Sequence, residues 1–520
     1  MKAKVILEKG YLPKEFPSLF DSSSLKKSMR ISNEILGQEP KTSRPTKTSI
    51  PKSAGFRRSI TIPNPKHYTI LAKYLDGKSN EISQIFELSN ISMSKAIAKT
   101  DSSRAIVNEF SFSAVVQSQL LKGYSSKYLL KSDISKFYNT IYTHSIPWAI
   151  HGKSESKADR SDALWGNKLD RLVRNMQDGQ TLGIPIGPDI SRVISELIGI
   201  ALDKEIQTSE PELNGIRFID DFFLFSDSYS QAESLSIKIN RALGKYELTE
   251  NENKSSIQSM PAPFESLQLQ NIKNYKIRKS SSEQNIDIVH IYNMAIDANI
   301  NHPKENSFHY FLMKVMPIKI HKDNWKIVES ILMQIALVET KSVTVISKIL
   351  ISYKSYGYDM DCEKIKVTFL KIAKNGIDNN FGFEVSWAFW ILNQLEIKIH
   401  ETIQNISLLT DPLAIISVLT AREKGLYTPN LDVNYWNSLM GKDSLYDSGW
   451  MLSYEAERRG WLSNQQGLKL IDDDQYFKKL NESDISFLNV QNVINPMKES
   501  ELAEETNFDY ELDLFELIYG

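Results

Sequence analysis

The sequence predicts an α+β domain followed by an all-α helical array. Two observations carry this expectation. Strand and helix patterns alternate up to about residue 275, in an order that suits an antiparallel sheet with helices on one face. From about residue 285 strand signals nearly vanish, and helix-period segments of three to four turns follow one another with short polar links. A chain of 520 residues also exceeds what one compact core organises. The expected division is a basic arm at 1–54, the α+β unit at 55–275 and the helical unit at 285–520.

Taken in order, residues 38–54 are rich in Pro, Ser, Thr and Lys and read as a loop or mobile segment. FRRSITIPN (56–64) alternates like a strand stopped by proline. Residues 66–98 read as helix in two pieces, broken near Gly77. KYLLKSDI (127–134) is an apolar strand ending at Asp133, and SKFYNTIY begins a helix after it. QTLGIPIGPDIS (180–191) is a Gly/Pro loop leading into a helix over 192–207. IRFIDDFFLFS (216–226) reads as a hairpin with Asp220 and Asp221 at its tip, and 230–246 as an amphipathic helix. Beyond 285 come NWKIVESILMQIALVE, TVISKILISYKS, CEKIKVTFLKIAKN, FEVSWAFWILNQLEI and DPLAIISVLTARE, all of helical period but without a clean fixed repeat.

Composition narrows the chemistry. Hydrophobic residues make up 41% and charged residues 24%, ordinary for a globular protein. No apolar run approaches the roughly 18 to 20 residues that span a bilayer, so no membrane partner is expected. The N-terminus is basic, but its apolar stretch is too short for a signal peptide. One cysteine, Cys362, excludes an internal disulfide framework or a Cys-based zinc cluster and fits a reducing cytoplasm. The 8 histidines form no close ligand pair. Net charge is −2, but residues 1–66 hold 14 Lys/Arg against 5 Asp/Glu. That basic stretch is either a phosphate-attracting arm or a solvated tail.

The candidate site is a set of carboxylates. In FIDDF (218–222), Asp220 and Asp221 lie inside an intensely apolar run, where ionised groups are costly unless paired or metal-bound. Asp133 ends a second buried strand. Were the two strands neighbours, the three carboxylates could hold two Mg²⁺ ions about 3.5–4 Å apart, as in-line phosphoryl displacement uses. Magnesium needs few carboxylates and neither His nor Cys, which this chain lacks in quantity. Gly183 and Gly187 in GIPIGPDIS let backbone approach a base pair or sugar. Arg58 could neutralise a triphosphate, and Lys254 could protonate departing pyrophosphate. Singly, these residues also read as a polar turn, a helix cap, a helix-initiating loop and surface charges.

Their order is more specific. A basic strand, D-x-x-x-F-Y, G-I-P-I-G-P-x-x-S, F-x-D-D and N-x-x-K-S occur collinearly over about 200 residues. The set resembles the fingers and palm of reverse transcriptases. The resemblance implies a right-hand polymerase with Asp133, Asp220 and Asp221 holding Mg²⁺ and Lys254 assisting catalysis. It places Tyr138 as the aromatic that excludes a ribose 2′-OH and Arg58 on the triphosphate, with Gly187, Pro188 and Ser191 in the nucleotide-binding loop. Two departures stand out. Pro185-Ile186-Gly187 replaces the usual Pro-Gln-Gly, which puts ordinary template reading in doubt, and Phe218-Ile219 replaces the usual Tyr-containing lead into the Asp pair.

Those departures, the GYLPKEFP start and the helical second half are similar to one branch, the abortive-infection (Abi) polymerases of bacterial phage defence, of the type carried by P2-like prophages. That resemblance implies a HEAT-like helical domain and a homo-oligomer. It also implies template-independent DNA synthesis from dNTPs, primed by a protein hydroxyl, with single-stranded DNA left covalently attached. Tyr11 is the first candidate hydroxyl, or else a packed aromatic anchoring an N-terminal strand; Tyr510 and Tyr519 sit in acidic surroundings that repel phosphate. Two other readings remain: a conventional RNA-templated reverse transcriptase, and a non-catalytic helical-array interaction protein whose palm is only a scaffold.

Overall fold

The structure, a computed structural model, describes residues 1–464, 467–491, 496–499 and 502. It opens with a helix, Ala3–Lys9, and an antiparallel ribbon of β1 (Thr46–Pro51) and β2 (Arg57–Ile62), in which Ile50 lies opposite Arg58. The helix Pro65–Asp76 follows, with Pro65 at its first turn and the Asn64 side chain accepting from Lys66 N. A short pair, β3 (Ala96–Ala98) and β4 (Ile106–Asn108), precedes the central sheet. That sheet comprises β5 (Tyr128–Asp133), β6 (Gly215–Phe218), β7 (Asp221–Ser226) and β8 (Ser256–Ser259), antiparallel throughout, in the order β6-β7-β5-β8.

The apolar run of β7 follows from burial on both faces. Phe222 and Leu224 face the main core with Leu130. Phe223 and Phe225 face the opposite side, toward Phe218, Leu129 and Ala262. Helix Tyr229–Lys245 lies against β5 and β7, started by a capping box between Ser228 and Gln231. Helix Phe112–Gly123 also touches β6 and β7, and its Val115 packs with Ile216 and Phe218 on the second face. The expectation of helices on one face only is therefore too simple. The long buried helix Ile190–Ser209 packs on helix Tyr229–Lys245.

Three expectations need correction. Residues 38–54 are not all loop, because Thr46, Thr48 and Ile50 alternate inward as β1. Residues 66–98 are not helical throughout: helix Ser79–Phe86 ends the helical stretch, and β3 follows. Residues 1–54 do not stand apart as an arm. Ala3, Ile6 and Leu7 fall at helical spacing and are buried, an apolar stripe masked in sequence by the lysines between them. Ala3 N donates to Asp76 Oδ2 at 3.0 Å. Phe20 bridges Leu488, so the two ends of the described chain are tied together.

The second half is helical, as expected. Helix Cys362–Asp378 packs on Gly382–Gln394, which packs in turn on Pro412–Glu423. Helix Gly382–Gln394 is apolar on nearly every side and also contacts β1, so the helical half and the ribbon share one interface. Among the described residues, no helix is long and apolar enough to cross a membrane.

Candidate active site

β5 and β7 are neighbours, and their register sets Asp133 opposite Asp221. Asp220 precedes Asp221 in the tight β6–β7 turn, and its carbonyl accepts from Ile134 N at 3.1 Å. The three carboxylates predicted to converge thus share one end of the sheet. Asp133 is nearly buried and holds two partners: Asn251 Nδ2 donates to Oδ1 at 2.7 Å and Lys254 Nζ to Oδ2 at 2.8 Å. Asn251 N also donates to the Asp133 carbonyl at 2.7 Å, so the N-x-x-K segment is clipped to the strand end from both backbone and side chain.

The local electrostatics are those of crowded anions. Burial, then the charge of Asp133, pushes Asp220 up to about 6. Burial, then Asp220 and Asp133, pushes Asp221 well above the usual carboxylate range. Burial works against the charge on Lys254, but the three carboxylates outweigh it and raise its pKa. Lys52, at the turn of the β1–β2 ribbon, is held below its ordinary value by burial, then by Arg58 and Lys254, against the pull of Asp220 and Asp133. Lys52 went unnoticed in the sequence because residues 38–54 read as loop. The signal was the T-K-T-S-I alternation in front of it.

The turn carrying the aspartates is held from behind. Ile219 takes a positive φ of 58°, uncommon for a β-branched residue. Its N–H donates to Ser94 Oγ at 2.8 Å, and its carbonyl accepts from Arg217 Nη1 at 2.9 Å. Arg217 is fully buried and pairs with Asp203 (Nε to Oδ1, 2.8 Å) and Glu196 (Nη2 to Oε1, 2.9 Å). Glu196 and Asp203 stand seven apart on one helix, hence on one face. Gly199 lies between them; a Cβ there would come within 2.6 Å of the Arg217 guanidinium. A lone arginine in an apolar strand and two acids at i, i+7 were legible signals for this network, and sequence reasoning missed it.

The remaining predicted residues separate into two groups. Tyr138 is half-buried, its Oη 3.1 Å from Ser195 Oγ, and its carbonyl accepts from Ile184 N at 2.8 Å. The aromatic is thereby fixed to the loop that precedes helix Ile190–Ser209. Arg58 donates to Glu15 Oε1 at 2.7 Å and lies close enough to Lys52 to repel it. Gly187 has φ 120°, and a Cβ would come within 2.5 Å of Pro13.

Pro188 and Ser191, however, are buried and have no surface to offer a nucleotide. Asp189 between them is drawn inward by Arg104 Nε at 2.9 Å and by two backbone N–H groups, which sinks the helix start into the core. Tyr11 is likewise no mobile hydroxyl. It is completely buried, donates to the Pro63 carbonyl and packs 4.7 Å from the Tyr68 ring. Tyr510 and Tyr519 lie outside the described residues.

Residues 50–310, half of the chain, match the family model described as reverse transcriptase (RNA-dependent DNA polymerase). The chain belongs to the reverse transcriptase family. It is a nucleotidyltransferase, and the matched region contains all three carboxylates, Tyr138 and Lys254. The match runs past the expected boundary at 275 into the first helices of the second half. A comparison with curated proteins gave no match.

Among solved structures, apo telomerase from Candida tropicalis truncated from its C-terminal domain is 15% identical, with 44% of this chain and 52% of that chain covered and a TM-score of 0.32. Telomerase from Candida albicans with a fragment of telomeric RNA is 11% identical over 77% of this chain and 66% of that chain, with a TM-score of 0.30. The chain thus spans about half the length of the first and just under two thirds of the second, and the family assignment rests on the family match alone.

Proposed function

We propose that the chain is a magnesium-dependent DNA polymerase that adds dNTPs without a template, starts from a protein hydroxyl, and acts in abortive infection against phage. The observation that carries the reading is the meeting of Asp133, Asp220 and Asp221 at one sheet end, with Lys254 bonded to Asp133 and Lys52, which lies beside Arg58, feeling their charge. The donor set suits Mg²⁺: carboxylates alone, whose mutual repulsion divalent cations relieve. Among the described residues no group of three or more His, Cys, Asp or Glu stands arranged to hold a metal ion; Asn251 and Lys254 occupy the Asp133 oxygens, and Mg²⁺ would take their place there. Bound Mg²⁺ would supply charge neutralisation at the transferring phosphoryl group. Lys254 would give a proton to pyrophosphate, Arg58 and Lys52 would hold the triphosphate, and Tyr138 would exclude a 2′-OH.

Template independence is supported by Ile186 in place of glutamine and by what lies beyond it. Loop 182–186 and the ribbon residues Lys47, Ser59 and Thr61 border a cleft of about 1020 Å³, closed opposite by Asn380, Asp411 and Lys442 of the helical half. The oligomer, the covalently attached single-stranded product, the HEAT-like character of the helical half and a cytoplasmic setting belong to the same reading. The buried Tyr11 moves the priming hydroxyl elsewhere, to another Tyr, Ser or Thr of this chain or a neighbouring copy. The family's RNA-dependent members favour a second reading, templated copying from a nucleic-acid primer.

Purified protein incubated with Mg²⁺ and labelled dNTPs, without nucleic acid, separates the two. Label that stays on the polypeptide through denaturation and is released by nuclease is the expected result. Incorporation only on added primer and template would establish the second reading. No incorporation under any condition, unchanged by Asp220→Asn, would leave a scaffold.

A further inference from the structure

We propose that the helical half sets the triphosphate-binding cations, with Glu384 and Trp387 as positioning residues that act through Arg57 and Glu15. The inference rests on the reading of Arg58 and Lys52 as triphosphate ligands, and it extends the site beyond residue 310, where the family match ends.

A two-stranded ribbon is marginally stable by itself. The β1–β2 ribbon must therefore be held by its surroundings if its turn is to present charges at a fixed place. Helix Gly382–Gln394 does this with two side chains three residues apart, hence on one face. Glu384 takes a forked pair of bonds from Arg57, Nη1 to Oε1 at 2.7 Å and Nη2 to Oε2 at 2.9 Å. The same guanidinium lies 3.5 Å over the Phe381 ring. Glu384 is buried, with 2% of its side chain exposed, so solvent screens the pair little. Successive strand residues point to opposite faces. Arg57 and Arg58 therefore point to opposite faces of the ribbon, Arg58 sharing the face of its partner Ile50, and anchoring Arg57 fixes the strand from which Arg58 projects beside Lys52, the cation that feels the carboxylates.

The second side chain works on Arg58 from its other end. Trp387 Nε1 donates to the Glu15 carbonyl at 2.9 Å, and Glu15 Oε1 accepts from Arg58 Nη2 at 2.7 Å. A third clip closes the turn itself, where Lys341 Nζ donates to Ser53 Oγ at 2.8 Å, one residue from Lys52. Glu384, Trp387 and Lys341 all come from beyond residue 310, with Asn306, which accepts from Ser53 Oγ, and Glu15 as further supports.

The test is binding of a non-reacting α,β-methylene dNTP with Mg²⁺ to the full chain, followed by titration calorimetry, with helicity checked by circular dichroism. Glu384→Gln keeps the shape and removes the charge; displacing one charge-assisted contact weakens binding by about tenfold. Arg58→Ala weakens it by a similar factor, and adding Glu384→Gln to it weakens binding by clearly less than the product of the two single effects, because Glu384 acts in part through Arg58 and in part through Lys52. Wild-type affinity in Glu384→Gln, or full additivity with Arg58→Ala, overturns the inference while leaving Arg58 as a ligand. Wild-type affinity in Arg58→Ala overturns the triphosphate reading and the inference together. Should Glu384→Gln not fold, Trp387→Phe removes only the Nε1 bond; about threefold weaker binding is expected, and unchanged binding overturns the role of Trp387.

Discussion

Arg217→Met tests the support behind the aspartate turn. Methionine keeps an unbranched stem of similar reach and removes the charge. In the native protein Arg217 is fully buried, and it is the cation that faces both Asp203, which is completely buried, and Glu196, which nearly is. Removing one member of such a buried cluster leaves uncompensated charge and costs about 3–5 kcal/mol. Against a total of roughly 5–15 kcal/mol this is a large fraction. For a cooperative unit of 520 residues it lowers Tm by about 3–5 °C.

The loss has a pH signature. Burial already raises the Asp203 pKa above its ordinary value despite Arg217, and without the cation it rises further. A carboxyl whose folded pKa lies above its unfolded one is protonated preferentially in the folded state. Its stabilising proton is held at low pH and lost as pH rises, so the variant is weakest at alkaline pH and recovers on acidification. Melting curves at pH 5, 6.5 and 8 measure this. Incorporation at a temperature where the variant stays folded measures the second effect, because Ile219 loses the donor to its carbonyl and the Asp220–Asp221 turn is freed. A variant that also carries Glu196→Leu and Asp203→Leu should regain stability yet remain slow. A Tm within about 2 °C of wild type at pH 8, with normal incorporation, would refute the reasoning.

Three further outcomes are expected. Tyr138→Ala enlarges the pocket beside the loop, and discrimination against ribonucleotides falls by about 10- to 200-fold in steady-state kinetics with dATP and ATP; unchanged rejection removes Tyr138 from that role. Asp411 is buried at the start of helix Pro412–Glu423, bonded to Thr48 Oγ1, and burial pushes it from 3.8 up to about 6. It therefore contributes a loss of stability as pH rises between those values, and Asp411→Asn should flatten that part of the stability–pH curve in urea titrations. Tyr11→Phe should cost about 1 kcal/mol, from the lost bond to Pro63, and leave labelling of the polypeptide intact. Abolished labelling in a folded Tyr11→Phe would restore Tyr11 as the primer.

What could be read in the sequence was whatever has a local cause. The strand ending at Asp133, the hairpin 216–226 and the helix after the Gly/Pro loop each carry their own period and punctuation, and each formed where expected. The convergence of Asp133 with the Asp pair followed from the sequence only on the condition that the two strands are neighbours, and the register sets Asp221, not Asp220, directly opposite Asp133. The misses share a different cause. Ribbon strand β1 is polar, and its inward residues are covered by partners more than 300 residues away, among them helix Gly382–Gln394, Asp411 on Thr48 and Ser448 on Thr46. Ser191 and Tyr11 are buried by Arg104, Pro63 and Tyr68, which no local pattern ties to them. Polar residues whose partners lie far along the chain look like surface residues until those partners are placed. The same condition hid Lys52, Arg217 and Glu384, whose partners lie far along the chain. The chemistry of this site is therefore written locally, while its geometry is imposed from a distance. That division predicts that substitutions at Asp133 or Asp220 act on the reaction alone, whereas substitutions at Arg217 or Glu384 act on stability and substrate binding together.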